Sequence, residues 1–318
     1  MKRPSLALAA LLLGTASAFA EVPKVVATIK PIHSLVAAVM GDLGSPTLIV
    51  KGAASPHTYS LKPSEAGAIE AADIVFWTGH GMEVFLEDSL STLAPTATLV
   101  ELSEAPGIEL LPVREGGMFE AHDDGDEDHA AHAEAGHDDH AGHDHAGEMD
   151  MHVFLDPANA KAMVAQIATT LAAADPDNAA TYEANAQHAT ADLDQLIADI
   201  TAKLAPIKDQ PFVVFHDAYQ YFERRFGLNI AGSITVSPEN MPGADRISDV
   251  REKLKTLSTA CVFAEPQFDL RIVDVLVEGT SVGKGVLDPE GANLSEGPGL
   301  YGELLNAMAD SLVGCLTR

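Results

Sequence analysis

The 318-residue chain predicts an α/β protein of two lobes, each with a mostly parallel sheet flanked by helices, joined by one long rigid helix. Two observations carry this. Short β-branched runs alternate with helical patterns in both halves, which is how parallel sheets are written in sequence. Between the halves, residues 178–205 run without Gly or Pro and place Leu193, Leu196, Ile197, Ile200 and Leu204 on one face.

The elements follow in order. Lys24–Ile29 reads as a first buried strand, and Pro31 opens a helix through Val39 that stops at Gly41. Thr47–Val50 is a second strand, leading into a Gly/Ser/Pro loop that carries His57. Pro63–Ala72 is a helix and Ile74–Trp77 a strand. A helix is expected over Glu83–Leu93 and a strand over Ala97–Val100. Past residue 157, Ala158–Ala173 is a helix broken by Asp175-Pro176-Asp177. The helix over 178–205 would span roughly 40 Å at 1.5 Å per residue, a strut with little room for wide hinge closure. Pro206 and Pro211 end it. Strands follow at Phe212–Phe215, Ile230–Ile234, Cys261–Ala264 and Gly285–Leu287. Helices alternate with them at Ala218–Phe226, Asp245–Leu257, Asp269–Glu278 and Tyr301–Leu312.

Length and composition set bounds. Lys2 and Arg3, the apolar run Leu6–Leu13 and Ala18-Phe19-Ala20 form a secretory signal peptide over residues 1–20, with cleavage expected before Glu21. No Cys follows the cut, so no lipid anchor is expected, and the mature chain should be a periplasmic monomer. About 298 residues remain, enough for two domains. The boundaries are 21–157 for the first lobe, 158–206 for the connecting helices and 207–318 for the second lobe. A net charge of −28 argues against nucleic acid and anionic membranes as partners. Cys261 and Cys315 are the only cysteines, and in an oxidising compartment a disulfide is expected between them. A thiolate metal site is the rival reading.

Within the first lobe, residues 119–150 form a His/Asp-rich insert. His122, His129, His132, His137, His140, His143 and His145 are interleaved with Asp and Glu, with almost no apolar side chain. Such a segment cannot offset its ordering entropy and should be a disordered loop. Clustered imidazoles beside carboxylates suit zinc, so the loop reads as an auxiliary metal collector rather than a merely solvating stretch.

Three other histidines are isolated. His57 follows the second strand, His216 directly follows the Phe212–Phe215 strand, and His152 follows the insert. Ligands of open parallel sheets bind outside the carboxyl ends of strands. Two lobes facing each other would bring these imidazoles around one ion in the interlobe cleft. His33, His80 and His188 read as structural or surface residues.

Five motifs occur in order: Ser55-Pro56-His57-Thr58-Tyr59, His152-Val153-Phe154-Leu155-Asp156-Pro157, Phe215-His216-Asp217-Ala218-Tyr219, Ala264-Glu265-Pro266-Gln267-Phe268 and Leu287-Asp288-Pro289. Together they resemble the metal-binding cluster of ABC-transporter solute-binding proteins, and within it the zinc-uptake ZnuA family. The likeness covers the mature chain. It implies His57, His152 and His216 as ligands to Zn²⁺ held between two lobes, for delivery to an inner-membrane ABC permease. Manganese-importing relatives carry a carboxylate where this chain has His216, and nitrogen there suits zinc better. Asp288 matches the aspartate that binds metal in those relatives, so it is a candidate fourth ligand beside water or a loop histidine. Some zinc members use a carboxylate next to the first histidine; Pro56 and Thr58 stand there instead. Asp156, Asp217 and Glu265 read as groups that orient imidazoles or cap helices.

No enzyme is expected. A zinc hydrolase would fit three histidines and a water, but the chain has no HExxH and no evident general base beside the set. A periplasmic zinc store or metallochaperone dominated by the loop, and a manganese or iron importer, are the other readings.

Overall fold

The computed structural model describes residues 22–87, 89–114, 119, 149–235, 243–256 and 261–317. The signal peptide and the seven clustered histidines lie outside these residues. Among the described residues, no helix is long and apolar enough to cross a membrane.

The first sheet contains β1 (Val25–Ala27), β2 (Thr47–Leu48), β3 (Ile74–Trp77) and β4 (Thr98–Glu101) in the order β2-β1-β3-β4, all parallel. β1 and β3 are buried along their whole length, so both faces need apolar side chains and the strands read as unbroken hydrophobic runs. Helix α1 (Lys30–Met40) follows β1 with Pro31 in its first turn, where the missing N–H costs nothing. It ends at Gly41, whose φ of 54° is left-handed; a Cβ there would also meet Asn185 Nδ2 at 2.6 Å. Helix α2 is Pro63–Glu70.

The helix expected over 83–93 is instead a 3₁₀ turn at Val84–Leu86 and a short α3 (Leu90–Leu93). Side chains compete with the helix here. The fully buried Glu83 accepts from the Thr28 hydroxyl at 2.6 Å and from the Thr78 and Gly79 N–H groups at 3.0 and 3.1 Å. Glu87 takes the Gly81 N–H at 2.6 Å. Both carboxylates turn back to the preceding loop rather than facing outward along a helix.

An antiparallel pair, β5 (Leu111–Pro112) and β6 (Met149–Asp150), was not legible in the sequence; it brackets the histidine-rich stretch. Two helices follow, α4 (Pro157–Ala174) and α5 (Ala179–Leu204). The 26 residues of α5 span roughly 39 Å. Its buried side chains include Tyr182, Ala186, Leu193, Leu196, Ile200 and Leu204. Near one end, Asn185 Nδ2 donates to Val39 O of α1 at 2.9 Å.

The second sheet contains β7 (Pro211–His216), β8 (Asn229–Thr235), β9 (Cys261–Ala264) and β10 (Gly283–Val286) in the order β10-β9-β7-β8, again all parallel. Helices α6 (Gln220–Phe226), α7 (Ala244–Thr256), α8 (Arg271–Val277) and α9 (Leu300–Leu316) alternate with it. Near the far end of α5, Lys203 pairs with Asp310 of α9 at 2.6 Å, so the long helix is fastened to both lobes. A disulfide joins Cys261 at the start of β9 to Cys315 in the last turn of α9.

Two apolar cores result. One runs from the first sheet through α1, α4, α5 and α9 to Phe212, Val214 and Phe263 of the second sheet. The other covers the opposite face of the second sheet, with Val213, Phe215, Val262, Val250 and Leu276. The first sheet and one face of the second therefore share one continuous core around the long helix.

Asp156 shows how the lobes are locked. Its Oδ1 caps α4 by accepting the Ala158 N–H at 2.8 Å, and both its oxygens take Arg225 of α6 at 2.7 Å. Losing a cap costs about 1 kcal/mol. A half-buried bidentate pair adds a comparable amount. Asp156→Ala should therefore lower stability by about 2 kcal/mol, read as a lower urea midpoint at unchanged slope. An unchanged midpoint would mean the pair is energetically silent.

Candidate metal centre

Each histidine reaches the centre by a different local device. β7 ends at His216, so its side chain emerges where the strand stops. His57 sits on the 3₁₀ turn Pro56–Thr58, in the loop that leaves β2. His152 stands two residues past β6, just before the turn Val153–Leu155 that leads into α4. His152 and His216 are buried, and His57 is half-buried.

The tertiary fold brings the three rings together. His152 Nε2 lies 3.3 Å from His57 Nε2 and 3.3 Å from His216 Nε2. All three ligand nitrogens fall within 4.8 Å of one another. Facing imidazole lone pairs repel unless a proton or a cation lies between them. A tetrahedral zinc with Zn–N of 2.0–2.1 Å would set its ligand nitrogens about 3.3–3.4 Å apart. The two short separations match that edge. The cavity they border holds about 10 Å³ and is also lined by Ser55, Pro56, Glu265, Gln267, Phe268, Pro289 and Glu290. That is room for an ion or a water, not an organic substrate.

Two carboxylates fix two of the rings. His216 Nδ1 donates to Glu265 Oε1 at 2.7 Å, and His152 Nδ1 donates to Asp150 Oδ1 at 2.8 Å. A proton held on Nδ1 leaves the Nε2 lone pair facing the cavity. Burial opposes the charged form of His216, but Glu265, by charge and hydrogen bond, with Asp217 and Asp150, holds its pKa above the ordinary value. Among the described residues His57 has no carboxylate partner; burial, then the charges of His152 and His216, push its pKa well below the ordinary value.

The structure does not bring Asp288 into this group. Its carboxylate accepts the Gln267 side chain at 2.8 Å and the N–H groups of Glu290, Gly291 and Ala292 at 3.2, 2.9 and 2.6 Å. It thus organises the loop after β10. Buried Lys30 of α1 clamps the same loop, donating to the carbonyls of Gly291, Ala292 and Leu294 at 2.8, 3.0 and 3.2 Å. The loop places Glu290, which sequence reasoning missed, in the cavity wall at 6% exposure. Burial, then the charges of Asp288, Glu83 and Glu265, raise the Glu290 pKa well above the carboxylate range against the pull of Lys30. A glutamate just past Leu287-Asp288-Pro289 was the available signal.

Asp217 pairs with Arg114. His33 is buried, with Nε2 at 3.1 Å from Pro46 O, while His80 and His188 are exposed; none joins the cluster.

Two parallel α/β sheets bridged by a long helix, with imidazoles converging outside the strand ends, define a class: the metal-binding solute-binding proteins. The sequence model of the family "ZnuA: Zinc-uptake complex component A periplasmic" matches residues 25–315, and the chain belongs to that family. It is 50% identical over 307 residues to the high-affinity zinc uptake system protein ZnuA of Brucella suis biovar 1 (strain 1330), covering 92% of each. To the protein of the same name from Paracoccus denitrificans (strain Pd 1222) it is 36% identical over 323 residues, covering 99% of each. A crystal structure of ZnuA shares the fold with a TM-score of 0.73 at 24% identity, covering 92% of this chain and 98% of the other.

Proposed function

We propose that this chain is the zinc-capturing component of an ABC importer, binding one Zn²⁺ through His57, His152 and His216 and releasing it to a membrane permease in the periplasm. The observation that carries the reading is the convergence of three Nε2 atoms, two pairs of them at 3.3 Å, in a cavity of single-ion size. An all-nitrogen set favours zinc over manganese, whose harder ion prefers carboxylate and water. The relatives named for high-affinity zinc uptake support the same cargo. Glu290, which lines the cavity, or a water suits the fourth position better than Asp288, whose oxygens are already engaged by four donors.

The seven clustered histidines, in this reading, are an accessory collector. Deleting residues 120–148 and titrating the apo chain with Zn²⁺ and Mn²⁺ against a calibrated chelator separates this from the zinc-store reading. One tight zinc is expected to survive, with zinc preferred over manganese by at least 100-fold, about 3 kcal/mol. Disappearance of tight binding would instead make the deleted segment the principal binder.

A further inference from the structure

His152 supplies the middle nitrogen of the centre, 3.3 Å from each of the other two, yet it stands on no regular element. His216 has a sheet to hold it. What holds His152 is Asp150. One oxygen, Asp150 Oδ1, accepts both the backbone N–H of His152 at 3.0 Å and its ring Nδ1–H at 2.8 Å. The turn and the ring are thereby fixed by the same atom.

Asp150 is itself anchored, and it is only 6% exposed. Its backbone carbonyl accepts the Tyr221 hydroxyl at 2.7 Å. Its other carboxylate oxygen accepts Gln220 Nε2 at 3.3 Å. Tyr221 in turn accepts the N–H of Leu111, the residue paired with Asp150 across β5 and β6, at 2.8 Å. A chain of contacts thus runs from α6 in the second lobe, through β6, to the His152 ring. His57 has nothing comparable: His152 is the only hydrogen-bond partner of its ring among the described residues.

We propose that Asp150 is a positioning residue that presets His152, so that two oriented nitrogens, those of His152 and His216, stand ready before the metal arrives and His57 completes the set. The inference rests on the cleft reading above. Its chemistry is general. A ligand ring already held in one rotamer loses no further freedom on binding, and a carboxylate on Nδ1–H makes Nε2 the better donor. The Asp-x-His spacing is local, so the arrangement can form from a short segment.

The test uses the full mature chain with Zn²⁺ in chelator competition and Co²⁺ as a spectroscopic probe. Loss of a carboxylate behind a ligating imidazole typically weakens metal binding by about 10–100-fold. Asp150→Ala is expected at the upper end of that range, with the absorption band of tetrahedral Co²⁺ shifted or weakened. Asp150→Asn keeps the shape and can accept both N–H groups, so it should lose about tenfold and keep the wild-type unfolding temperature without metal. Tyr221→Phe removes the strand anchor but not the carboxylate. It should lower stability while leaving zinc affinity within about threefold.

Wild-type affinity and an unchanged Co²⁺ band in Asp150→Asn and Asp150→Ala would overturn the proposal. So would a loss in Tyr221→Phe equal to that in the Asp150 variants, because the role would then be structural. If Asp150→Ala does not fold, Asp150→Asn decides alone. Failure of the cleft reading looks different: His57→Ala would then bind zinc as tightly as the wild type.

Discussion

Replacing His216 with alanine is expected to weaken zinc binding by roughly 10²–10³-fold. About 10–16 kcal/mol for a four-ligand structural zinc site is roughly 2.5–4 kcal/mol per ligand. Each 1.4 kcal/mol is about tenfold in affinity. His57→Ala removes one nitrogen of the same centre and should cost a similar factor. The two variants should differ in stability without metal. His216 shields Glu265, which is 1% exposed and hydrogen-bonded to the imidazole. Its loss leaves a buried carboxylate short of a partner, a penalty of about 1–3 kcal/mol. His57 leaves no such orphan. Chelator competition measures the first effect and thermal unfolding of the metal-free chains the second. Tight zinc retained by both variants would remove the three-histidine centre from consideration. Equal stability of the two metal-free variants would show that Glu265 finds another partner.

Removing the disulfide with Cys261→Ala and Cys315→Ala is expected to cost about 4 kcal/mol. The cysteines are 54 residues apart, and closing a loop of that size removes this much chain entropy from the unfolded state. For a chain of this length the loss should appear as a fall of about 8 °C in the unfolding temperature. Reduction of the wild type should reproduce the fall. Zinc affinity should hold, because Cys261 opens β9 while Glu265, which touches the centre, follows the opposite end of that strand. Thermal scans with and without reductant settle the first point, and an unchanged midpoint would count against the entropic account. A large loss of affinity would instead mean that α9 controls the geometry of the cleft.

The two effects separate function from scaffold. His216 is buried for its chemistry, and its burial is made tolerable by one carboxylate. Cys261 and Cys315 are buried among apolar side chains and act through the ensemble of unfolded chains. Zinc affinity lost as heavily in the cysteine variants as in His216→Ala would contradict this division.

Local pattern made most of the architecture readable. β-branched runs flanked by turn residues mark β1, β3, β7 and β9 because strands buried on both faces must be apolar throughout. The unbroken helical periodicity over 178–205 marks α5 to within a residue at each end. Histidines at strand ends, together with ordered motifs resembling a known family, singled out His57, His152 and His216 as the residues that the fold brings within 4.8 Å. The two lone cysteines similarly indicated their disulfide.

The tertiary structure decided what lies between elements distant in sequence. Glu265 meets His216 across 49 residues, and Lys30 clamps the Glu290 loop across 261. No periodicity encodes such pairs, because they depend on how two lobes seat against one helix. The loss of the expected helix at 83–93 has the same origin: Glu83 is drawn inward by Thr28, a partner 55 residues away. Sequence by itself determined the strands of both sheets, most of the helices and the candidate imidazoles, since each is written in local spacing and residue type. Only the packed fold decided which carboxylates orient those imidazoles, because hydrogen-bond partners are chosen by distance in space.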